Sequence, residues 1–250
     1  MSEKLANPVK TYHSVWVKIS HWVGTLGFLL LVFSGVEIIM VHPRLYWGNA
    51  GNDLMPALFE FPISRNYHHG GWAPAQAIFD QPNSPISAGR TYEIFNQNGW
   101  GRSLHFLAAW IMVFSGVYYL VIAIFSGHIK NNLIPRLKEL TLENFVKEIK
   151  EHLKSSIAYL KGPQYGLLQK ISYLMVIFIF LPTIVLTGLT MSPAITASYP
   201  FLLTIFFGAQ SARTIHFFAA VLLVLFLLIH IWMIVKSGFK KQLLAMTVKK

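Results

Sequence analysis

Ten histidines stand in this 250-residue sequence. Four of them, His21, His105, His216 and His230, fall inside long apolar stretches. An ionisable side chain in such a stretch is costly to bury, so each needs a partner. His216 and His230 are fourteen residues apart. At about 100° per residue they differ by only about 40° around a helix, and their rise separation is about 21 Å. One helix therefore carries two imidazoles on one face, one toward each end. His105 opens its apolar run on the same side as His216, and His21 lies on the same side as His230. Two pairs follow, His105 with His216 and His21 with His230. Neutral imidazole is a good axial ligand for iron. Two bis-histidine b-type haems, one per leaflet of a bilayer, would satisfy all four residues. The chain has no cysteine, which excludes disulfides, iron–sulfur clusters, thiolate zinc sites and thioether-attached haem. Any haem must then be held by side-chain ligands alone.

The residues around these histidines repeat. Arg102-Ser-Leu-His105, Arg213-Thr-Ile-His216 and Lys18-Ile-Ser-His21 each place a cation three residues before the ring. One helical turn toward water is where a haem propionate would emerge, and a cation there would pair with it. Ordinary interfacial snorkelling would give the same pattern. Two runs share R-x-x-H-F-x-A-A-x-x-x-V, from Arg102 to Val113 and from Arg213 to Val224. The segment V-F-S-G-V also occurs twice, at Val32–Val36 and Val113–Val117. Its glycines, Gly35 and Gly116, offer clearance for a macrocycle or for a neighbouring helix. Glu37 stands about 24 Å from His21 by helical rise. An acid at that depth is a functional candidate, able to take a proton from a quinol or to hold a hydrogen bond. His42 is close by and joins it as a candidate. His13, His68, His69, His128 and His152 lie at span ends or in loops and read as solvated side chains.

The elements that must carry these residues are read from composition. Hydrophobic residues make up 54% of the chain and charged ones 12%, against roughly 25% charged in soluble domains. The class is all-α, an integral membrane four-helix bundle with two haems in its core. The apolar runs cover about residues 15–41, 104–125, 167–191 and 215–235, with Pro182 as a kink in the third. The first run is too long for a cleaved signal peptide. The whole chain, 1–250, reads as a single membrane domain, with a loop at 42–102 on one side and one at 126–166 on the other. The longer loop, carrying Trp47, Trp72 and Trp100, is the expected docking surface or lid. Every lysine falls with Arg136 on the side of the termini, while Arg44, Arg65, Arg90, Arg102 and Arg213 fall opposite. The positive-inside rule then puts both termini in the cytoplasm. The formal charge of +11 is explained by that asymmetry and by contact with anionic lipid, not by nucleic acid. Within the basic loop, Leu142, Phe145, Val146, Ile149, Leu153 and Ile157 recur at helical spacing. They predict an amphipathic helix on the cytoplasmic face or a solvated connector.

Four segments carry a resemblance: H-P-R-L-Y-W-G (His42–Gly48), S-G-H (Ser126–His128), L-T-G-L-T-M-S-P (Leu186–Pro193) and Q-S-A-R-T-I-H-F (Gln210–Phe217). With the histidine pattern, they make the chain resemble the cytochrome b subunit of the thiosulfate reductase type. That group sits with the membrane cytochromes of nickel hydrogenases and formate dehydrogenases and with bacterial cytochrome b561. The resemblance covers essentially the whole chain. It implies four helices and two b haems. It also implies electron exchange between membrane quinone and a periplasmic redox partner, often a molybdopterin oxidoreductase. Its four ligands map onto His21, His105, His216 and His230. Relatives with a fifth helix differ from this chain, which has no fifth apolar run.

The expected function is thus electron transfer in a bacterial inner membrane. Quinol is oxidised near one haem, and electrons leave through the outer one. Two alternatives stand beside it: a free-standing quinone-linked cytochrome acting on a small oxidant such as superoxide, and a haem-free proton or ion transporter using Glu37 and the histidines. Whether the unit is a homodimer is open at this level.

Overall fold

The computed structural model describes residues 14–52, 55–63, 98–154 and 166–247. Among them four helices are long and apolar enough to cross a membrane: Val15–Val41, Gly99–Phe125, Leu167–Thr190 and Ala209–Lys236. The first is α1 (Val15–Val41), and the second lies within α2 (Asn98–Phe125). The third is composite. Helix α4 (Leu167–Met175) widens into a π-helical turn at Val176–Phe180 and continues as α5 (Leu181–Thr190). Pro182 explains the widening. It has no N–H to return to the carbonyl one turn back, so the preceding turn loosens and the helix runs on.

Smaller elements connect these spans. Strands β1 (Arg44–Leu45) and β2 (Phe59–Glu60) form an antiparallel pair with Arg44 opposite Glu60. Arg44 Nε donates to Glu60 Oε1 at 2.7 Å. Helix α3 is Leu142–Lys154, inside the amphipathic stretch expected there; Ile157 lies outside the described residues. Two short helices, α6 (Pro193–Ser198) and α7 (Phe201–Ile205), lead into α8 (Ala209–Lys236), and α9 (Phe239–Ala245) follows.

Both α2 and α8 begin about six residues before the apolar runs that predict them. For α8 the reason is visible. Gln210 and Ser211 donate their backbone N–H groups to the Gly48 carbonyl at 2.9 and 3.2 Å. Gly48 N–H donates in return to Ser211 Oγ at 2.6 Å. Thr214 Oγ1 donates to the Tyr46 carbonyl, and Arg213 Nη2 to that of His42, both at 2.7 Å. A helix start leaves several N–H groups without intrahelical partners. Here the segment 42–48 supplies oxygen to them, so a polar first turn is stable where hydropathy sees none.

The described residues divide into two compact units, each assembled from separate stretches. One draws on Met1–Trp22, Gly116–Leu174 and Leu227–Lys250, the other on Val23–Ser115 and Met175–Phe226. In the second, α1 and α2 meet at small residues. A Cβ on Gly27 would stand 3.4 Å from Ile111 Cγ2 and 3.6 Å from the Ala108 carbonyl oxygen. Helices in lipid associate through such small-residue contacts, since apolar surface alone gives no drive there. In the first unit, Lys18 Nζ donates to Thr247 O at 2.7 Å and Trp22 Nε1 to Met246 O at 2.8 Å, which satisfies carbonyls at the end of α9. Glu148 Oε2 accepts the Leu168 N–H at the start of α4. Thr141 Oγ1 accepts the Asn144 N–H and so caps α3.

Burial is inverted relative to a soluble protein. Phe114, Leu228 and Ile229 are exposed, while Ser34, Glu37, Thr187, Thr190, Ser211 and Thr214 are buried. Polar groups turned inward and large apolar ones outward suit a lipid solvent.

Candidate functional site

Two histidine pairs form, and each lies within one unit. His105 on α2 faces His216 on α8 with ring centroids 6.2 Å apart and planes at 56°. His21 on α1 faces His230 on α8 at 6.4 Å and 50°. These are the pairs expected from spacing. The distance is compatible with a shared metal, although ordinary ring contacts such as Trp47–Phe207 stand equally far apart, at 6.2 Å. A metal–nitrogen bond is about 2.0–2.1 Å and an imidazole radius about 1.1–1.2 Å, so two rings gripping one metal from opposite sides stand about 6.2–6.6 Å apart. Direct imidazole–imidazole hydrogen bonding or stacking would bring them closer. Among the described residues no group of three or more His, Asp or Glu could hold a metal ion. Donors that come only in twos suit a metal whose remaining ligands belong to a planar macrocycle. The residues therefore fit an iron porphyrin at each pair.

The rings of the first pair are held from behind. His105 Nδ1 is 2.9 Å from Ser34 Oγ, and His216 Nδ1 is 3.0 Å from Thr187 Oγ1. Both hydroxyls belong to neighbouring helices, α1 and α5. Gly35 stands beside the His105 ring: a Cβ there would lie 3.9 Å from His105 Cε1. Gly188 stands beside His216 in the same way, at 3.6 Å from Cε1. A Cβ on Gly116 would meet no atom within 4 Å, which leaves room at that point of α2. In the second pair the His21 ring meets Trp22 edge-on at 5.3 Å.

The three cations that precede the rings in sequence have different surroundings. Arg213 is half-buried and donates to the His42 carbonyl. Arg102 is exposed, with its guanidinium carbon 5.9 Å from the Phe106 ring centre. Lys18 is buried and bonded to Thr247 O. Equal spacing in sequence thus does not give equal roles.

Glu37 is 1% exposed, which for an acid on a spanning helix singles it out. The first turn of α2 makes room for it: a Cβ on Gly101 would stand 2.7 Å from Glu37 Cγ. His42 is exposed, just past the end of α1. Of the other histidines, His128 is half-buried beside Trp16 and Asn132. His152 belongs to α3. His13, His68, His69, Trp72, Arg65 and Arg90 lie outside the described residues.

Sequence reasoning missed Ser34, Thr187 and Gly101. The first two were visible as S-G inside V-F-S-G-V and T-G inside L-T-G-L-T, but nothing in one dimension says which ring a hydroxyl meets. The H-P-R-L-Y-W-G and Q-S-A-R-T-I-H segments prove to be each other's partners, through the hydrogen bonds between 42–48 and 210–214.

Comparison with known proteins gives two matches. A family model described as prokaryotic cytochrome b561 matches residues 12–249. The chain is also 25% identical over 230 residues to "Putative protein-methionine-sulfoxide reductase subunit YedZ1" of Azospira oryzae, an alignment covering 92% of this chain and 93% of that one. No solved structure gives a significant match.

Proposed function

The chain belongs to the prokaryotic cytochrome b561 family, membrane electron-transfer proteins that bind haem b, and from that premise we propose a two-haem wire between the quinone pool and a reductase on the outer face of a bacterial inner membrane. His105 and His216 hold the outer haem, and His21 and His230 the inner one. Haem supplies one-electron oxidation and reduction when bound. The four imidazoles would hold the haem irons and so fix where that chemistry happens. Arg213 lends positive charge beside the outer pair, which favours the more electron-rich state. Arg102 and Lys18 add charge at span ends. Gly35 and Gly116 leave clearance along α1 and α2. A quinol bound there would give up two electrons, one at a time, and two protons, which Glu37 would take in turn and pass to water by way of His42. The partner is a molybdopterin oxidoreductase. The relative's designation as a reductase subunit supports a chain that hands its electrons to a separate protein.

The observation that carries this reading is the pair of cross-helix histidine contacts, each at a separation that two ligands of one metal could have. The test is haem quantification on detergent-purified protein. We expect two haem b per chain, reducible by dithionite. His216→Ala should lose one haem and keep the other, and His21→Ala should do the reverse. One haem in the wild type, or both retained in His216→Ala, would overturn the pairing. A colourless but folded preparation would favour the transporter alternative. Failure to pass electrons from quinol to any co-purified or added molybdoenzyme would favour the free-standing cytochrome.

A further inference from the structure

The two outer rings are gripped by the same device, built twice on different helices. Ser34 Oγ donates to the Leu30 carbonyl at 2.7 Å, and Thr187 Oγ1 donates to the Thr183 carbonyl at 2.6 Å. A hydroxyl has one proton to give. With that proton committed to the carbonyl four residues back, the oxygen is left as an acceptor toward the ring. Each Nδ1 therefore faces an acceptor oxygen and must carry the hydrogen. The next residue in both cases is glycine, Gly35 or Gly188, where an added Cβ would come into ordinary contact with the Cε1 edge of the ring. Ser34 and Thr187 are fully buried, so water does not compete at these contacts.

We infer that Ser34 and Thr187 are positioning residues that lock His105 and His216 as Nδ1–H tautomers. Nε2 of each ring is then left as a bare lone pair, the form that would ligate iron. The inference rests on the reading that this pair holds a haem. Two consequences follow. Ring orientation is restrained by the protein before any metal arrives, because a hydrogen bond at Nδ1 holds one point of each ring. The ligands also gain basicity, since an acceptor on Nδ1–H pushes electron density toward Nε2. A more basic ligand stabilises ferric over ferrous iron, so these two hydroxyls hold the outer couple's potential down.

The experiment is an optical redox titration of full-length, haem-loaded protein, with electron paramagnetic resonance of the ferric state. His216→Ala identifies the outer couple as the one that disappears. Ser34→Ala and the isosteric Thr187→Val should each shift that couple to higher potential and leave the other in place. The double variant should shift it further. Thr187→Ser and Ser34→Thr, which keep a hydroxyl, should keep the wild-type potential and g-values. If Thr187→Val or Ser34→Ala loses the outer haem outright, its retention by the hydroxyl-keeping variant supports the inference, and its loss there overturns it. Unchanged potential and g-values in both Ser34→Ala and Thr187→Val would make these residues mere packing. A wild-type protein in which His216→Ala removes no couple would instead sink the haem assignment, and the inference with it.

Discussion

His128 lies just past the end of α2, and its chemistry differs from that of the paired rings. Asn132 Nδ2 donates to its Nδ1 at 2.9 Å, and Trp16 meets the ring edge-on at 5.6 Å. Spacing alone places this residue among solvated side chains, but the fold half-buries it. Burial lowers its affinity for a proton below the ordinary histidine value. Protonation would also turn the Nδ1 acceptor into a donor facing another donor. The unfolded chain binds the proton more readily, so stability is full above about pH 6.5 and is lost as pH falls below it. Once the slowing of intrinsic exchange at lower pH is divided out, the protection of amides in residues 126–140 should therefore fall between about pH 7.5 and pH 5.5. His128→Gln, which keeps an acceptor and cannot titrate, should flatten that dependence. An equally steep profile in the variant would place the switch elsewhere.

Among the elements, the junction of segment 42–48 with α8 is where sequence and fold explain each other. The turn before α8 takes Phe207 to φ +58° and Gly208 to φ +110°. A Cβ on Gly208 would collide with the Gly48 backbone, so glycine is required there both for its φ and for the close approach. Thr214 Oγ1 fills the Tyr46 carbonyl. Thr214→Val should cost about 1–3 kcal/mol, the range for leaving a buried acceptor unsatisfied. Gly208→Ala should cost more, because it adds a clash to the left-handed backbone penalty of about 1–2 kcal/mol. Thermal unfolding in detergent should rank Gly208→Ala below Thr214→Val and both below wild type. Unchanged midpoints would mean that the strap stabilises nothing. The spanning helices were legible from hydropathy, but the early start of α8 was not. Its first turn is polar, and its stability comes from oxygen atoms more than 160 residues away in sequence.

The whole molecule is a multi-pass membrane protein with apolar residues outward and small polar ones inward. Its lysine asymmetry predicts that both termini and the 126–166 loop face the cytoplasm. The absence of cysteine gives a clean background for testing this. Asn49 and Lys147 are both exposed, in the 42–52 segment and on α3. On intact cells a membrane-impermeant maleimide should label Asn49→Cys and spare Lys147→Cys until the membrane is opened. The reverse pattern would invert the topology and move the proposed partner to the other face.

Hydropathy, histidine spacing and charge asymmetry are properties of a line of residues. They were enough to name four spans and pair four imidazoles, and they predict an orientation for the chain. They suffice because lipid forces helices, and a helix converts residue number directly into height and angle. What surrounds each imidazole is not periodic. The hydroxyl that meets an imidazole, the glycine beside it and the direction in which Arg102 points depend on which helices become neighbours. Only packing decides that, so Ser34 met His105 and Thr187 met His216 in three dimensions alone.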